Sequence, residues 1–258
     1  MRNEDLVAVI DSIIRPSKKL EFEGNGVIRP AEKDITKIGV CVDLTDHVAA
    51  EAKRLGIDQM VVHHYFADGV IEKASSMSTG LYGSHLPLDT MPDGLIDSFA
   101  SVFGVNCTAP VSVNYKGHEI GNAAVLLRVG GKNIGYFFDR VMSELSHLGS
   151  LSAKVVNYRQ RLHGNQRRFE RVIVSAGTFI RPEFMQQLQE LDPHLYIAGN
   201  AGSDSEEYAR SNGIAFMTIG DFESHAVGMQ RFADRLRSAV NRPGMDKMRV
   251  YFIPNYKT

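Results

Sequence analysis

Apolar residues recur three and four positions apart from Leu6 through Val9, Ile10 and Ile13 to Ile14, the spacing of one helical face. Asn3 stands where it can cap that helix, and Pro16 stops it. The pattern then changes to short continuous apolar runs. Lys37 to Leu44 reads as a buried strand, and Thr45 caps a helix that runs through Leu55. Gly56 closes that helix where a left-handed residue is wanted. Val61 to His63 returns as a second strand, which completes a strand–helix–strand unit with a histidine pair at the carboxyl end of its second strand.

The rhythm repeats further along. Arg171 to Ser175 reads as a strand, Arg181 to Leu191 as a helix and Leu195 to Gly199 as a strand. Ser203 to Asn212 follows as a helix, Ile214 to Ile219 as a strand, and a last helix starts near Asp221 and runs to about Val240. Between the two stretches, Asn122 to Val129 predicts a strand and Ile134 to Leu145 a helix, while His147 to Arg171 is a polar excursion. Alternating strands and helices predict an α/β fold with mostly parallel sheets. The expected organisation is one unit spanning 1–258, built from two similar halves, 1–125 and 126–258, both contributing to one site. In such sheets ligands gather at the carboxyl ends of the strands.

Composition narrows the function classes. The 258 residues carry a formal net charge of −1, so there is no large basic field of the sort that binds nucleic acid by neutralising phosphates. The basic clusters from Arg159 to Arg171 and Arg231 to Arg242 read as solvated faces. Cys41 and Cys107 lie in apolar surroundings without metal or redox spacing, as buried thiols do. The first residues lack the apolar core of a signal peptide, and no apolar run reaches the roughly 20 residues that span a bilayer. A cytoplasmic protein without membrane contact is the expectation.

Three segments carry candidate chemistry: His63-His64, His85 to Asp89 within Ser84-His85-Leu86-Pro87-Leu88-Asp89, and Asp221 to His225. Imidazole and carboxylate donors without cysteine suit Zn²⁺, Fe²⁺, Mn²⁺, Co²⁺ or Ni²⁺. Consecutive residues of a regular strand face opposite ways. His63 and His64 therefore share one ion only if the strand ends and flares there, or else each serves its own ion in a paired site with ions ~3.5–4 Å apart. Pro87 is read as excluding a regular helix between His85 and Asp89, which puts them on a strand end and loop. Asp221 and His225 sit one turn apart on the start of the last helix and share a face; Glu223 projects elsewhere. The glycines of Ala198-Gly199-Asn200-Ala201-Gly202 and Ser175-Ala176-Gly177-Thr178 either make ordinary strand-to-helix turns or admit a substrate backbone or phosphate. No Walker-type or dinucleotide glycine loop is present in the sequence.

Together Val61-Val62-His63-His64, Ser84-His85-Leu86-Pro87-Leu88-Asp89 with Gly94-Leu95-Ile96-Asp97, and Gly220 to Gly228 resemble the Nif-three-like family, the type-two homologues of GTP cyclohydrolase I. Gly24-Asn25-Gly26-Val27 resembles that family's Asp-Asn-x-Gly-Leu signature in degraded form. The resemblance implies a Nif-three-like fold of two α/β lobes, a dinuclear metal centre with His63, His64 and Asp89 as ligands and His85 beside them, and a ring-shaped homohexamer. The family's last motif reads His-x-x-x-Glu, so Asp221 takes the place of its histidine and His225 that of its glutamate. A neutral imidazole offers one lone pair and cannot bridge two ions as a carboxylate can. Asp89 or Asp221 then bridges, or a single ion binds tightly. A Thr-Gly-Glu with a following histidine, present in the family after the strand at Leu195, is absent here.

The expected activity is a metal-dependent hydrolase on a small molecule, with a nucleotide as the candidate substrate and GTP suggested by the family label. His85 and Asp221 are the expected proton carriers, and one or two divalent ions the cofactor. The competing reading is a non-catalytic hexameric scaffold or regulatory binding protein that keeps a metal site.

Overall fold

The computed structural model describes residues 1–14, 25–106, 108–148, 153–156, 168–241 and 247–256. The chain divides into two compact units: Met1–Gly94 together with Gly228–Thr258, and Leu95–Val227. The division thus falls at Gly94 and again at Val227, where the sequence suggested one near residue 125, because the end of the chain returns to the first unit.

In the first unit α1 (Asn3–Ile14) buries Leu6, Ile10 and Ile14, the stripe that the spacing predicts. Asn3 does not cap it. Its amide grips Ala31, donating to the carbonyl at 3.0 Å and accepting from the N–H at 2.9 Å, while the Arg2 N–H finds the Asp5 carboxylate at 3.3 Å. Pro16 lies outside the described residues. There follow β1 (Gly26–Arg29), β2 (Lys37–Cys41), α2 (Asp46–Leu55), β3 (Gln59–Val62), α3 (Val70–Ser76), β4 (Gly80–Gly83) and α4 (Leu86–Thr90). The ends of α2 form as read. The Thr45 hydroxyl accepts from the Val48 N–H, and Gly56 adopts φ 66° and returns its N–H to Ala52 and Lys53.

The second unit holds α5 (Leu95–Ser101), β5 (Thr108–Tyr115), β6 (His118–Lys132), α6 (Ile134–Leu145), β7 (Lys154–Val156), β8 (Phe169–Val174), α7 (Pro182–Leu188), β9 (Leu195–Ala198), α8 (Ser203–Ser211) and β10 (Ala215–Thr218). Then α9 (Asp221–Val240) begins in the second unit and ends in the first, where β11 (Arg249–Phe252) completes the chain's strands among the described residues.

The first sheet has the order β1-β4-β3-β2-β11. Its four strands β4, β3, β2 and β11 run parallel, and β1 lies antiparallel at the edge. Every residue of β3 and β4 is buried, as expected of parallel strands covered on both faces. The second sheet has the order β5-β6-β8-β9-β10-β7 and is mixed. Only its centre, β8-β9-β10, is parallel, so the expectation of mostly parallel sheets holds for the first unit and fails for the second. The difference comes from a hairpin. Tyr115 pairs with His118 across Lys116 and Gly117, both with positive φ (49° and 79°), the twist that a two-residue hairpin turn needs.

Of the basic residues near the C-terminus, Arg231 is exposed, Arg235 pairs with Asp93 at 3.0 Å, and Arg237 donates to the Val250 carbonyl at 2.7 Å. Arg242 and most of the Arg159 to Arg171 cluster lie outside the described residues. Cys41 is buried and unbridged. Burial, with the Asp43 charge adding to it, pushes its thiol well above the ordinary range. Cys107 lies outside the described residues. Among the described residues no helix is long and apolar enough to cross a membrane.

Candidate metal centre

The first unit brings three histidines and an aspartate together at the carboxyl end of its parallel strands. Regular strand geometry in β3 stops at Val62, so His63 and His64 sit in the turn that follows. The alternation that would throw their side chains to opposite faces is thereby broken. Their ring centroids lie 4.6 Å apart, and the His85 ring lies 4.8 Å from His63 and 5.9 Å from His64.

His85 and Asp89 reach the cluster by a route the sequence reading missed. Pro87 does not exclude a helix here. It occupies the first turn of α4, where a missing N–H breaks no intrahelical bond and the fixed φ suits the helix. One helical turn then separates His85 from Asp89. His85 precedes α4 with φ −110° and ψ −101°, and its N–H is held by the Asn25 side chain at 2.8 Å.

Asp89 is 3 % exposed and His63 fully buried. One Asp89 oxygen stands 3.4 Å from His63 Nε2, and the other 3.9 Å from His85 Nε2. One donor atom from each of His63, His85 and Asp89 lies within 4.8 Å of the other two. A carboxylate this deep in a protein is costly unless a cation or a set of hydrogen bonds compensates it. Imidazoles turned toward it supply one side of that compensation, and a divalent ion suits the same donors. His63 Nδ1 faces the Ser84 carbonyl at 3.2 Å and His64 Nδ1 the Asp43 carboxylate at 2.6 Å. Burial alone would raise the Asp43 carboxyl. The hydrogen bond and charge of His64, with a further bond from Asn255, hold it below its usual value instead.

In the second unit, Asp221 and His225 open α9. His225 is buried, Asp221 half-buried, and His225 Nδ1 lies 4.0 Å from the Asp221 carboxylate, so the shared face read from the spacing is present. The Ser224 hydroxyl accepts from the Gly177 N–H at 3.0 Å and donates to the Asp221 carbonyl at 2.8 Å. A Cβ on Gly177 would stand 2.8 Å from the His225 ring, and one on Gly199 would stand 2.3 Å from the Ser224 hydroxyl. The room that these glycines leave is filled by the start of α9, which favours the turn reading over a phosphate cradle. Gly177 also has φ +57°, where glycine is at ease. Glu223 is buried, which raises its carboxyl. Its own N–H works against that shift and the Asp221 charge adds to it.

Asp43 and Asn255 were not among the candidates read from the sequence. The apolar run places Asp43 inside a strand reaching Leu44, and nothing local in the four residues of β11 says that they pair with β2. The rule that selected His63 also points to both, since each follows the carboxyl end of a parallel strand.

Fold and donor set together define an α/β protein with a buried histidine–aspartate cluster suited to a divalent metal. The chain belongs to the Duf34/NIF3 (NGG1p interacting factor 3) family, whose sequence model matches residues 1–258. A Clostridium perfringens relative called GTP cyclohydrolase 1 type 2 homolog is 22% identical over 259 residues, 93% of each chain. The Escherichia coli K12 protein of the same name is 31% identical over 118 residues, 41% of this chain and 48% of that one. Among solved structures, a Bacillus cereus protein related to NIF3 superposes with TM-score 0.77 at 13% identity, covering 100% of this chain and 98% of the other. Reduced HcgD from Methanocaldococcus jannaschii gives TM-score 0.73 at 17% identity, with 98% of each chain covered. At these identities the structural likeness establishes the fold.

Proposed function

We propose that the chain is a divalent-metal-dependent hydrolase acting on a nucleotide. The observation that carries this reading is the set of His63, His85 and Asp89 at the carboxyl end of a parallel sheet, His63 and Asp89 buried and His85 partly exposed, with His64 beside it. The name of the relatives points to GTP as the first nucleotide to try, with hydrolytic opening of the guanine ring as the reaction. A divalent ion in such a site supplies Lewis acidity and brings the pKa of water toward neutrality.

The residues divide the remaining work. His63, His64 and Asp89 would hold the ion, with Asp221 and His225 as further candidate donors. His85, partly exposed with Nε2 turned toward Asp89, carries a proton between solvent and the reacting group, and half-exposed Asp221 serves the same purpose. A neutral His225 offers one lone pair where the resembled family has glutamate, so a second ion would depend on the carboxylates of Asp89 and Asp221. Assembly into a ring-shaped homohexamer with the sites facing an inner cavity is part of this proposal. Light scattering that finds only monomer at micromolar concentration overturns that part.

The exchanged pair Asp221 and His225 also favours a second reading, a metal-binding scaffold without turnover. One experiment separates the two. Protein loaded in turn with Zn²⁺, Fe²⁺, Mn²⁺, Co²⁺ and Ni²⁺ is assayed on GTP and a panel of other nucleotides. The hydrolase reading expects metal-dependent product formation that falls at least about 100-fold in His64→Ala, the scale of losing one electrostatic catalytic group. Tight metal binding with no turnover on any nucleotide supports the scaffold.

A further inference from the structure

We propose that Asp43 and Asn255 are positioning residues that fix His64 with Nε2 as its metal-ligating nitrogen, an inference that rests on the metal reading above. Three neighbouring parallel strands deliver the three side chains in a row. β11 pairs with β2, with Phe252 opposite Val40, and β2 pairs with β3, with Cys41 opposite Val62. Backbone pairing continues past the strand ends, from the Ile253 N–H to the Val40 carbonyl at 2.9 Å and from the His64 N–H to the Val42 carbonyl at 3.0 Å. Asn255, Asp43 and His64 therefore emerge side by side at one sheet edge, although Asp43 and Asn255 are 212 residues apart in the chain.

The hydrogen bonds converge on the Asp43 carboxylate from both sides. Asn255 Nδ2 donates to one Asp43 oxygen at 2.5 Å, and Asn255 Oδ1 accepts from the Asp43 N–H at 3.4 Å. The amide can satisfy both partners in this orientation and in neither when turned over. It grips the carboxylate and the backbone of Asp43 at once. The second Asp43 oxygen lies 2.6 Å from His64 Nδ1. An ionised carboxylate only accepts, so His64 Nδ1 carries the proton and the lone pair of the neutral ring is on Nε2.

His63 reaches the same tautomer more simply, because its Nδ1 faces the Ser84 carbonyl, which the backbone itself holds in place. For His64 the acceptor is a partly exposed side chain with rotamers of its own. Asn255, 9 % exposed, removes that freedom. The charge of Asp43 also makes the opposite ring nitrogen a stronger donor to a metal, as outer carboxylates do for histidine ligands.

The test is Zn²⁺ affinity by competition with a chromophoric chelator, for wild type, Asp43→Ala, Asp43→Asn, Asn255→Ala and the double variant Asp43→Ala/Asn255→Ala. Asp43→Ala is expected to weaken binding about 10–100-fold. Asp43→Asn, which still offers an oxygen to Nδ1–H, falls between it and wild type, and Asn255→Ala weakens binding less than Asp43→Ala does. The double variant binds no more weakly than Asp43→Ala alone, because Asn255 acts through Asp43. In parallel, ¹⁵N NMR of the metal-free wild type is expected to show His64 protonated on Nδ1, a readout that stands even if Asp43→Ala fails to fold. Affinity of Asp43→Ala within about twofold of wild type, well short of the usual outer-partner effect, overturns the inference. So do additive losses in the double variant, or an Nε2–H ring. A wild type that binds no Zn²⁺ sinks the metal reading instead, and the NMR result still judges the hydrogen-bond chain.

Discussion

Asp89→Asn is expected to lower divalent-metal affinity at least about 100-fold, more than the 10–100-fold that outer partners of a metal site cost. The substitution keeps the size and shape of the side chain and removes its charge. Asp89 is the carboxylate of the cluster in the first unit, 3 % exposed and facing two imidazoles. With Asn in its place, a divalent ion would be left with neutral donors there, and the attraction lost acts in a poorly solvated site where charge counts most. A 100-fold loss corresponds to about 2.7 kcal/mol. The metal-free variant should melt no lower than the metal-free wild type, because the change also relieves a buried charge of its desolvation cost. Titration calorimetry with Zn²⁺ or Mn²⁺, paired with thermal melts in chelator, checks both halves. Affinity within about threefold of wild type would mean that Asp89 binds no metal, since direct loss of a charged ligand cannot cost so little beside the outer-partner range.

The largest stability effect is expected at the opposite edge of the same sheet. Asp58 precedes β3 and is 3 % exposed. One of its oxygens accepts from the Thr36 N–H and hydroxyl, both at 2.8 Å, and from the Lys37 N–H at 2.9 Å. The other oxygen pairs with Lys33. Asp58→Ala strands three donors at the start of β2, a loss of about 3 kcal/mol at pH 7. Metal affinity at temperatures where the variant stays folded should not change, since the cluster lies at the far ends of the strands. Burial works to raise the Asp58 carboxyl, and the bonds from Lys33, Thr36 and Lys37 together outweigh it, so the folded value is lowered. A lowered carboxyl contributes stability that is present above its unfolded value of about 3.9 and lost as pH falls through the folded value. The gap between wild type and Asp58→Ala in urea melts should therefore be full at pH 7 and narrow below about pH 4. A gap that is the same at pH 7 and pH 3 contradicts the role given to this carboxylate.

How far the sequence could be read depended on local punctuation. The unit from β2 to β3 was legible because Thr45 and Gly56 bracket α2 with unambiguous chemistry, and that bracket placed His63 and His64 at a strand end. Asp221 and His225 were legible from helical spacing alone. The misses are of three kinds. Pro87 was read as a breaker when its first-turn position made it a helix former, and this hid the geometry that joins His85 to Asp89. The β5–β6 hairpin turns on Lys116-Gly117, without the Asn or Asp that usually marks positive φ before glycine, so the sequence carries no turn signal for β5 or for the antiparallel part of the second sheet. Long-range closure was the third. β11 is four residues with an exposed start, and nothing local says that it pairs with β2. Without that pairing neither the division at Gly94 nor the place of Asn255 beside Asp43 could be inferred.

The claim on which the rest depends is that the cluster around His63 and Asp89 binds a divalent metal. Anomalous diffraction from crystals grown without chelator, collected at the Mn, Fe, Co, Ni and Zn absorption edges, tests it most directly. At least one anomalous peak bonded to His63, His64 and Asp89 is expected, with its edge naming the element. Crystals soaked in each of these ions that show no peak at those side chains, or only peaks held by other residues, would contradict it.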